Sequence, residues 1–111
     1  MIYELRKYVA VAGKEEELRE RFVNGTLDLF KRLGILVVEF WQHTASAGEL
    51  WYLVEWSSET DMATAWEAFK RNDEWLALKA ATETNGPLTA SITSIPLSRV
   101  DFFHSDKRTE P

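Results

Sequence analysis

The fold is decided by residues 35–57, which read ILVVEFWQHTASAGELWYLVEWS. Two runs rich in β-branched and aromatic residues, 35–44 and 50–57, flank the small and polar stretch ASAGE. Such runs favour β-strands, and a short stretch of small residues between them is typical of a hairpin loop. The segment therefore predicts two adjacent antiparallel strands.

Both faces of this predicted hairpin are apolar. Residues 50–57 place large apolar side chains on the two sides, with Tyr52, Val54 and Trp56 on one and Trp51 and Leu53 on the other. A face exposed to water usually alternates into polar residues. We therefore expect helices to cover one face and a partner to cover the other, the simplest partner being a second copy related by a two-fold axis.

The flanking sequence supplies a strand and a helix on each side of the hairpin. Apolar and polar residues alternate from Ile2 to Val9, and helical spacing then begins near Lys14 and stops at Gly34. These patterns predict a strand followed by a helix. After the hairpin we predict a helix capped by Ser58, a short continuation capped by Asp73, and a last strand from Thr89 to Val100.

The resulting β-α-β-β-α-β order predicts an α+β, ferredoxin-like domain. With right-handed crossovers it gives a four-stranded antiparallel sheet in the order 4-1-3-2, with the helices on one face. We assign this domain to residues 1–103. Residues 104–111 form a polar tail that we expect to fray.

Composition excludes several classes of function. The chain has 111 residues, no cysteine and a net charge of −5, which rules out thiolate metal sites and argues against a nucleic-acid surface. No apolar run is long enough to span a membrane. His43 and His104 lack neighbouring ligands, so we predict neither a metal nor another cofactor, and a cytoplasmic location.

Several short motifs occur in a fairly specific order from residue 2 to about residue 100. They are IYELRKY at 2–8, LFKRLG at 29–34, Phe40-Trp41, VEW at 54–56 and NDEW at 72–75. In this order and spacing the chain resembles the NIPSNAP family. It departs from that pattern at Val54, where many members of the family carry histidine, and at Gly25, where some do.

The resemblance implies the dimeric α/β-barrel superfamily, in which ferredoxin-like protomers pack their sheets together. That superfamily includes cofactor-free monooxygenases, haem-degrading enzymes and small isomerases, usually with a pocket between sheet and helices. A shared fold does not transmit an activity. Three hypotheses therefore stay open: a homodimer that binds a small apolar or aromatic ligand, a cofactor-free monooxygenase or isomerase, and a structural or protein-interaction module without a ligand.

Charged residues on the strands form the first group of candidate site residues: Glu4, Arg6, Glu39 and Glu55. A hairpin register that pairs Phe40 with Val54 places Glu39 opposite Glu55, and two opposed carboxylates need a cation or a shared proton. Arg6, on the neighbouring strand, is the expected cation. The cluster is either a site that moves a proton or orients a ligand, or an ion network that fixes the register or the dimer.

Aromatic and helix-breaking residues form the second group. Trp66 is expected to point at the sheet, and Trp41 lies beside Glu39, so each either fills the core or lines a pocket. Asn24-Gly25-Thr26 interrupts an otherwise good helix. Glycine there costs about 1 kcal/mol relative to alanine, so close packing or a ligand must require the small residue. Asn24 is therefore a pocket candidate as well.

Overall fold

A computed structural model describes residues 1–105. Its strands are β1 (Ile2–Ala10), β2 (Leu36–His43), β3 (Ser46–Trp56) and β4 (Thr89–Leu97). Its helices are α1 (Glu15–Arg21), α2 (Leu27–Arg32), α3 (Glu59–Lys70) and α4 (Asp73–Thr82), with a π-helical turn, Phe22–Thr26, joining α1 to α2. The predicted tail, residues 104–111, lies mostly outside the described residues. None of the helices within residues 1–105 has the length and hydropathy needed to cross a membrane.

The sheet is antiparallel throughout, and its strand order is β2-β3-β1-β4. This is the predicted order, and the α+β, ferredoxin-like architecture is confirmed. The helices all pack on one face, where Phe22, Phe30 and Phe69 are buried. Residues on β1 and β3 that face the helices alternate with residues that face away from them, as the pleat of a strand requires.

The first helix is continuous in direction but not in hydrogen-bonding pattern. It widens into the π-helical turn at Phe22–Thr26, which contains the predicted break Asn24-Gly25-Thr26. A Cβ atom at Gly25 would lie 2.7 Å from Cδ2 of Leu78 on α4. Close packing of the two helices therefore accounts for the glycine, and no ligand is needed to explain it.

The caps of the second helical region follow the sequence with one correction. Ser58 accepts a hydrogen bond from the Asp61 backbone N–H at 3.1 Å, as predicted. Asn72, and not Asp73, is the N-cap of α4: its Oδ1 accepts from the Trp75 backbone N–H at 3.0 Å. Both residue types cap helices well, so the pattern located the helix start but was wrong by one position.

The hairpin differs from the prediction in its length and its register. The turn consists of Thr44 and Ala45 alone, since β3 already begins at Ser46. An irregularity between Gln42 and His43 sets the register of the next residues of β2, and Glu39 lies opposite Leu53; a second shift, at Val38, follows. The predicted pair of opposed carboxylates is therefore wrong, because Glu55 lies opposite Leu36.

The two faces of the sheet have different surroundings. On the helix-facing side, Tyr52 and Val54 are completely buried, and the Tyr52 ring stacks on Phe40 with centroids 5.0 Å apart. On the opposite, open face, large apolar side chains remain exposed, including Leu36 at 53% and Trp41 at 47%. The core thus lies entirely between the sheet and the helices.

Candidate functional site

Glu4 is the centre of a polar cluster on the helix-facing side of the sheet. It lies on β1 and its side chain is fully buried. Its Oε1 accepts hydrogen bonds from Trp56 Nε1 at 3.0 Å and Trp66 Nε1 at 2.8 Å. Its Oε2 accepts from Arg6 Nη1 at 3.0 Å and Ser94 Oγ at 2.5 Å. Four donors therefore occupy the carboxylate, which has about four lone-pair sites.

The cluster keeps Glu4 ionised. Burial raises the pKa of Glu4, but the hydrogen bonds from Ser94 and Trp66 and the charge of Arg6 outweigh burial, so the pKa lies below its usual value. A carboxylate held in this state and already saturated with donors is poorly suited to act as a general acid. Glu4 therefore serves to orient its neighbours.

Arg6 connects this carboxylate to two tyrosines. Its Nε donates to the Tyr52 hydroxyl at 2.8 Å and its Nη2 to the Tyr8 hydroxyl at 3.2 Å. The Tyr52 hydroxyl donates in turn to that of Tyr8 at 3.2 Å. The guanidinium also lies 4.1 Å from the ring centroid of Trp66, a distance typical of a cation–π contact. All three guanidinium nitrogens of Arg6 thus donate a hydrogen bond, and the face of the group packs on Trp66.

Tyr52 stays protonated at neutral pH. Burial and the neighbouring Tyr8 raise the pKa of Tyr52 well above its usual value, although Arg6 acts in the opposite direction. The pKa of Arg6 is raised as well: burial lowers it, but Tyr52, Tyr8 and Glu4 more than compensate. The cluster therefore contains one fixed anion, Glu4, one fixed cation, Arg6, and the neutral hydroxyl of Tyr52.

A cavity of about 390 Å³ opens next to the cluster. It lies between the β1–β4 half of the sheet and helices α3 and α4. By area most of its wall is apolar or aromatic, and charged and hydroxyl-bearing side chains form the rest. The lining residues are Glu4, Arg6, Tyr8, Arg21, Met62, Trp66, Phe69, Lys70, Trp75, Lys79, Glu83, Thr89, Ile92 and Ser94. Pockets that bind small molecules combine such apolar walls with a few placed polar groups, and typically measure about 300–1,000 Å³.

A second buried ion pair borders the same cavity. Arg21 Nη1 donates to Glu83 Oε2 at 2.8 Å and to Thr82 Oγ1 at 3.2 Å. Its guanidinium lies 5.0 Å from the ring centroid of Trp75. Since both ion pairs are internal to the protein, each carboxylate in the lining already has its own arginine.

The structure brings together only part of the predicted site. Arg6 and Trp66 line the cavity. Asn24 is exposed and lines a separate groove with residues of α1 and α4. Glu39 and Glu55 are on the open face, as their pairing partners show, and so is Trp41, which pairs with Trp51. The prediction that Arg6 neutralises Glu39 and Glu55 is wrong, because Arg6 lies on the helix-facing side of the sheet and forms an ion pair with Glu4 there.

Sequence reasoning left several cavity residues unselected. Tyr8 alternates with Glu4 and Arg6 along β1 and so shares their face, which was a usable signal once that face was known to meet the helices. Arg21 and Ser94 gave no such signal, since they come from distant segments. Within residues 1–105 no group of three or more His, Asp or Glu side chains is arranged to hold a metal ion. His43 is exposed, and its Nδ1 accepts from the Ala45 backbone N–H at 3.0 Å.

Comparisons with known proteins give matches among solved structures. No protein-family model and no curated protein matches the sequence. A NIPSNAP family protein from Agrobacterium tumefaciens superposes with a TM-score of 0.78 at 18% identity, covering 96% of this chain and 98% of that one. An uncharacterized NIPSNAP domain protein from Burkholderia xenovorans gives 0.76 at 16% identity, covering 95% and 100%.

One of the solved structures that match at lower similarity is named as an enzyme. An antibiotic biosynthesis monooxygenase superposes with a TM-score of 0.59 at 9% identity, covering 90% of this chain and 99% of that one. Likeness at such low identity concerns the fold, which many activities share. The resemblance predicted from the sequence motifs is confirmed at that level: the chain has the α+β, ferredoxin-like fold of the NIPSNAP proteins.

Proposed function

We propose that this chain is a NIPSNAP-type homodimeric domain that binds a small apolar or aromatic ligand in the cavity between β1, β4, α3 and α4. The cavity itself is the observation that carries the proposal. Its volume of about 390 Å³ is sufficient for a compact ligand, and Trp66, Phe69 and Trp75 offer flat apolar surface. The Glu4–Arg6 cluster holds the polar end of the cavity in one arrangement, which lowers the ordering cost of binding.

Filling the cavity tests this proposal. Ile92 on β4 lines the cavity and is 48% exposed, so Ile92→Trp adds bulk there without removing a buried side chain. Leu76→Trp is the matched control, because Leu76 is 47% exposed on α4 and does not line the cavity. The neutral fluorophore N-phenyl-1-naphthylamine is the probe. We expect binding to the wild type and the control and at least tenfold weaker binding to Ile92→Trp, whereas equal binding to all three would contradict the proposal.

Homodimerisation is supported by the open face of the sheet. Leu36 and Trp41 on β2 and Ile95 and Leu97 on β4 are all exposed there, so large apolar side chains occupy both edges of this face. Monomers rarely leave such a surface uncovered. The NIPSNAP resemblance implies the same sheet-to-sheet pairing. The cytoplasmic location expected from the sequence stays a prediction.

A cofactor-free monooxygenase or isomerase is the second candidate. The observation in its favour is the Tyr8 hydroxyl, which belongs to a cavity-lining residue and accepts a hydrogen bond from Arg6. Without a cofactor the substrate must itself supply electrons to oxygen, so 1,4-dihydroxynaphthalene is a suitable probe. Oxygen uptake above the uncatalysed rate that is lost in Tyr8→Phe would favour the enzyme. Uptake at the uncatalysed rate would favour binding alone, and a chain that binds no probe would be a structural or interaction module.

A further inference from the structure

The cavity lining has the opposite charge balance to the chain as a whole. The chain has 13 basic and 18 acidic residues. The lining contains four of the basic residues but only two of the acidic ones. Because local charge attracts ligands of the opposite sign, an acidic protein with a cationic cavity selects anions there.

The surplus positive charge is carried by two lysines. The two carboxylates of the lining already pair with arginines, Glu4 with Arg6 at 3.0 Å and Glu83 with Arg21 at 2.8 Å. Lys79 takes part in no ion pair within residues 1–105.

The other lysine is only weakly engaged. Lys70 has Glu67 Oε2 at 3.5 Å, three residues away on the same helix, with both side chains mostly exposed. Such a surface pair contributes little. Both lysines are therefore available to a ligand.

Arg6 is a less suitable partner for an anionic head group. Its Nη1 already contacts the buried Glu4 carboxylate, and a second anion there would lie close to that charge. Its guanidinium also lies against the Trp66 ring at 4.1 Å. The charged head group of a ligand would therefore lie at the lysines, on the exposed side of the cavity. The apolar body of the same ligand would lie against Trp66 and Phe69.

The position of the lysines on their helices restricts the kind of anion. Lys70 is the last residue of α3, and Lys79 lies in the last turn of α4. The C-terminal end of a helix carries partial negative charge, whereas phosphate sites use helix N-termini and their backbone N–H groups. A head group with a single negative charge is therefore favoured over a doubly charged phosphate.

We infer that the ligand of this cavity is a carboxylic acid with a flat apolar body, whose carboxylate is bound by Lys70 and Lys79. The inference rests on the proposed function and narrows it to one chemical class. It assigns the apolar wall and the two lysines to different parts of one molecule. Neutral aromatic compounds then bind the same cavity, but more weakly.

Three probes with the same ring system separate these contributions. We would measure the dissociation constants of 2-naphthoate, 2-naphthamide and 2-naphthyl phosphate by titration calorimetry at low and at high salt. Lys70→Gln/Lys79→Gln is the test variant. Lys14→Gln/Lys31→Gln, which removes the same charge outside the cavity lining, is the matched control.

In the wild type and the control we expect 2-naphthoate to bind about five to ten times more tightly than the amide, since two exposed ion pairs contribute a modest gain. This advantage should disappear in the test variant and shrink at high salt, while the affinity for the amide stays unchanged. The phosphate should not bind more tightly than the carboxylate.

The possible failures have different meanings. Equal affinity for acid and amide, or an advantage of the acid that survives in the test variant, would overturn the carboxylate inference but leave the cavity as a ligand site. Tighter binding of the phosphate would overturn the assignment of a singly charged head group. Failure of all three probes to bind would contradict the proposed function itself.

Discussion

The two faces of the sheet reverse the usual distribution of residues. The helix-facing side buries a charged pair, Glu4 and Arg6, while the open face exposes Leu36, Trp41 and Leu97. The buried charges are tolerated because each polar atom has a partner; no buried side-chain nitrogen or oxygen in residues 1–105 lacks a hydrogen bond. The exposed apolar residues of the open face are not covered by any other part of residues 1–105. One face is therefore complete by itself, and the other is the face on which we propose that a second copy packs.

The largest expected effect on stability comes from a substitution in the buried Glu4–Arg6 cluster on the helix-facing side of the sheet. Glu4→Gln replaces two acceptor oxygens by one oxygen and an NH₂ group. In either orientation the NH₂ group meets donors: the two indole N–H groups at one position, or Arg6 and Ser94 at the other. The substitution also leaves Arg6 without its anion. We expect a loss of about 3–5 kcal/mol in the free energy of unfolding, measured by denaturant titration at pH 7.

Glu55→Gln is the control for this variant. Glu55 is a half-buried glutamate on the open face that forms no ion pair within the described residues. Its substitution should change stability by no more than about 0.5 kcal/mol. Comparable losses in the two variants would show that the buried cluster has no special role.

The next effect concerns the open face. Leu97→Glu puts a charge on that surface, and in a two-fold dimer the substitution occurs twice. We expect the dimer dissociation constant to rise about a hundredfold, or ~2.7 kcal/mol, in sedimentation velocity over a concentration series. Leu76→Glu on α4 is the control and should leave association unchanged. A wild-type chain that sediments as a monomer at low micromolar concentration would refute the dimer.

The smallest expected effect is the pH dependence of the contribution that Glu4 makes to folding stability. Since the pKa of Glu4 is lower in the folded than in the unfolded chain, its contribution to stability is fully present above about pH 4.5 and is lost as the pH falls through the folded pKa. The contribution amounts to about 1.4 kcal/mol for each pH unit between the two pKa values. Denaturant titrations from pH 6 to pH 3 should show the gap between the wild type and Glu4→Gln closing. A constant gap would mean that Glu4 does not titrate with folding.

The strand order was predictable because it depends on hydrophobic periodicity and on the handedness of crossovers, both of which are local rules. The hairpin register was not, since the irregularity next to the turn, between Gln42 and His43, has no distinct signature in the sequence. In the observed register Phe40 pairs with Tyr52 and not with Val54, so Glu39 lies opposite Leu53 and the predicted pair of carboxylates is absent. For the site, Trp66 was found because helical spacing directs it at the sheet, whereas Arg6 was selected as the cation for Glu39 and Glu55 and lines the cavity on the other face instead.

By itself the sequence determined the element order, the apolar character of both faces of the hairpin, and the motifs that resemble the NIPSNAP family. Those features follow from residue type and from spacing along the chain. Only the tertiary structure decided which face of β1 meets the helices, and hence that Glu4 pairs with Arg6 beside a cavity. Ser94 and Arg21 reach that cavity from segments far apart in the chain. Their meeting depends on packing, and no local pattern encodes packing between distant segments.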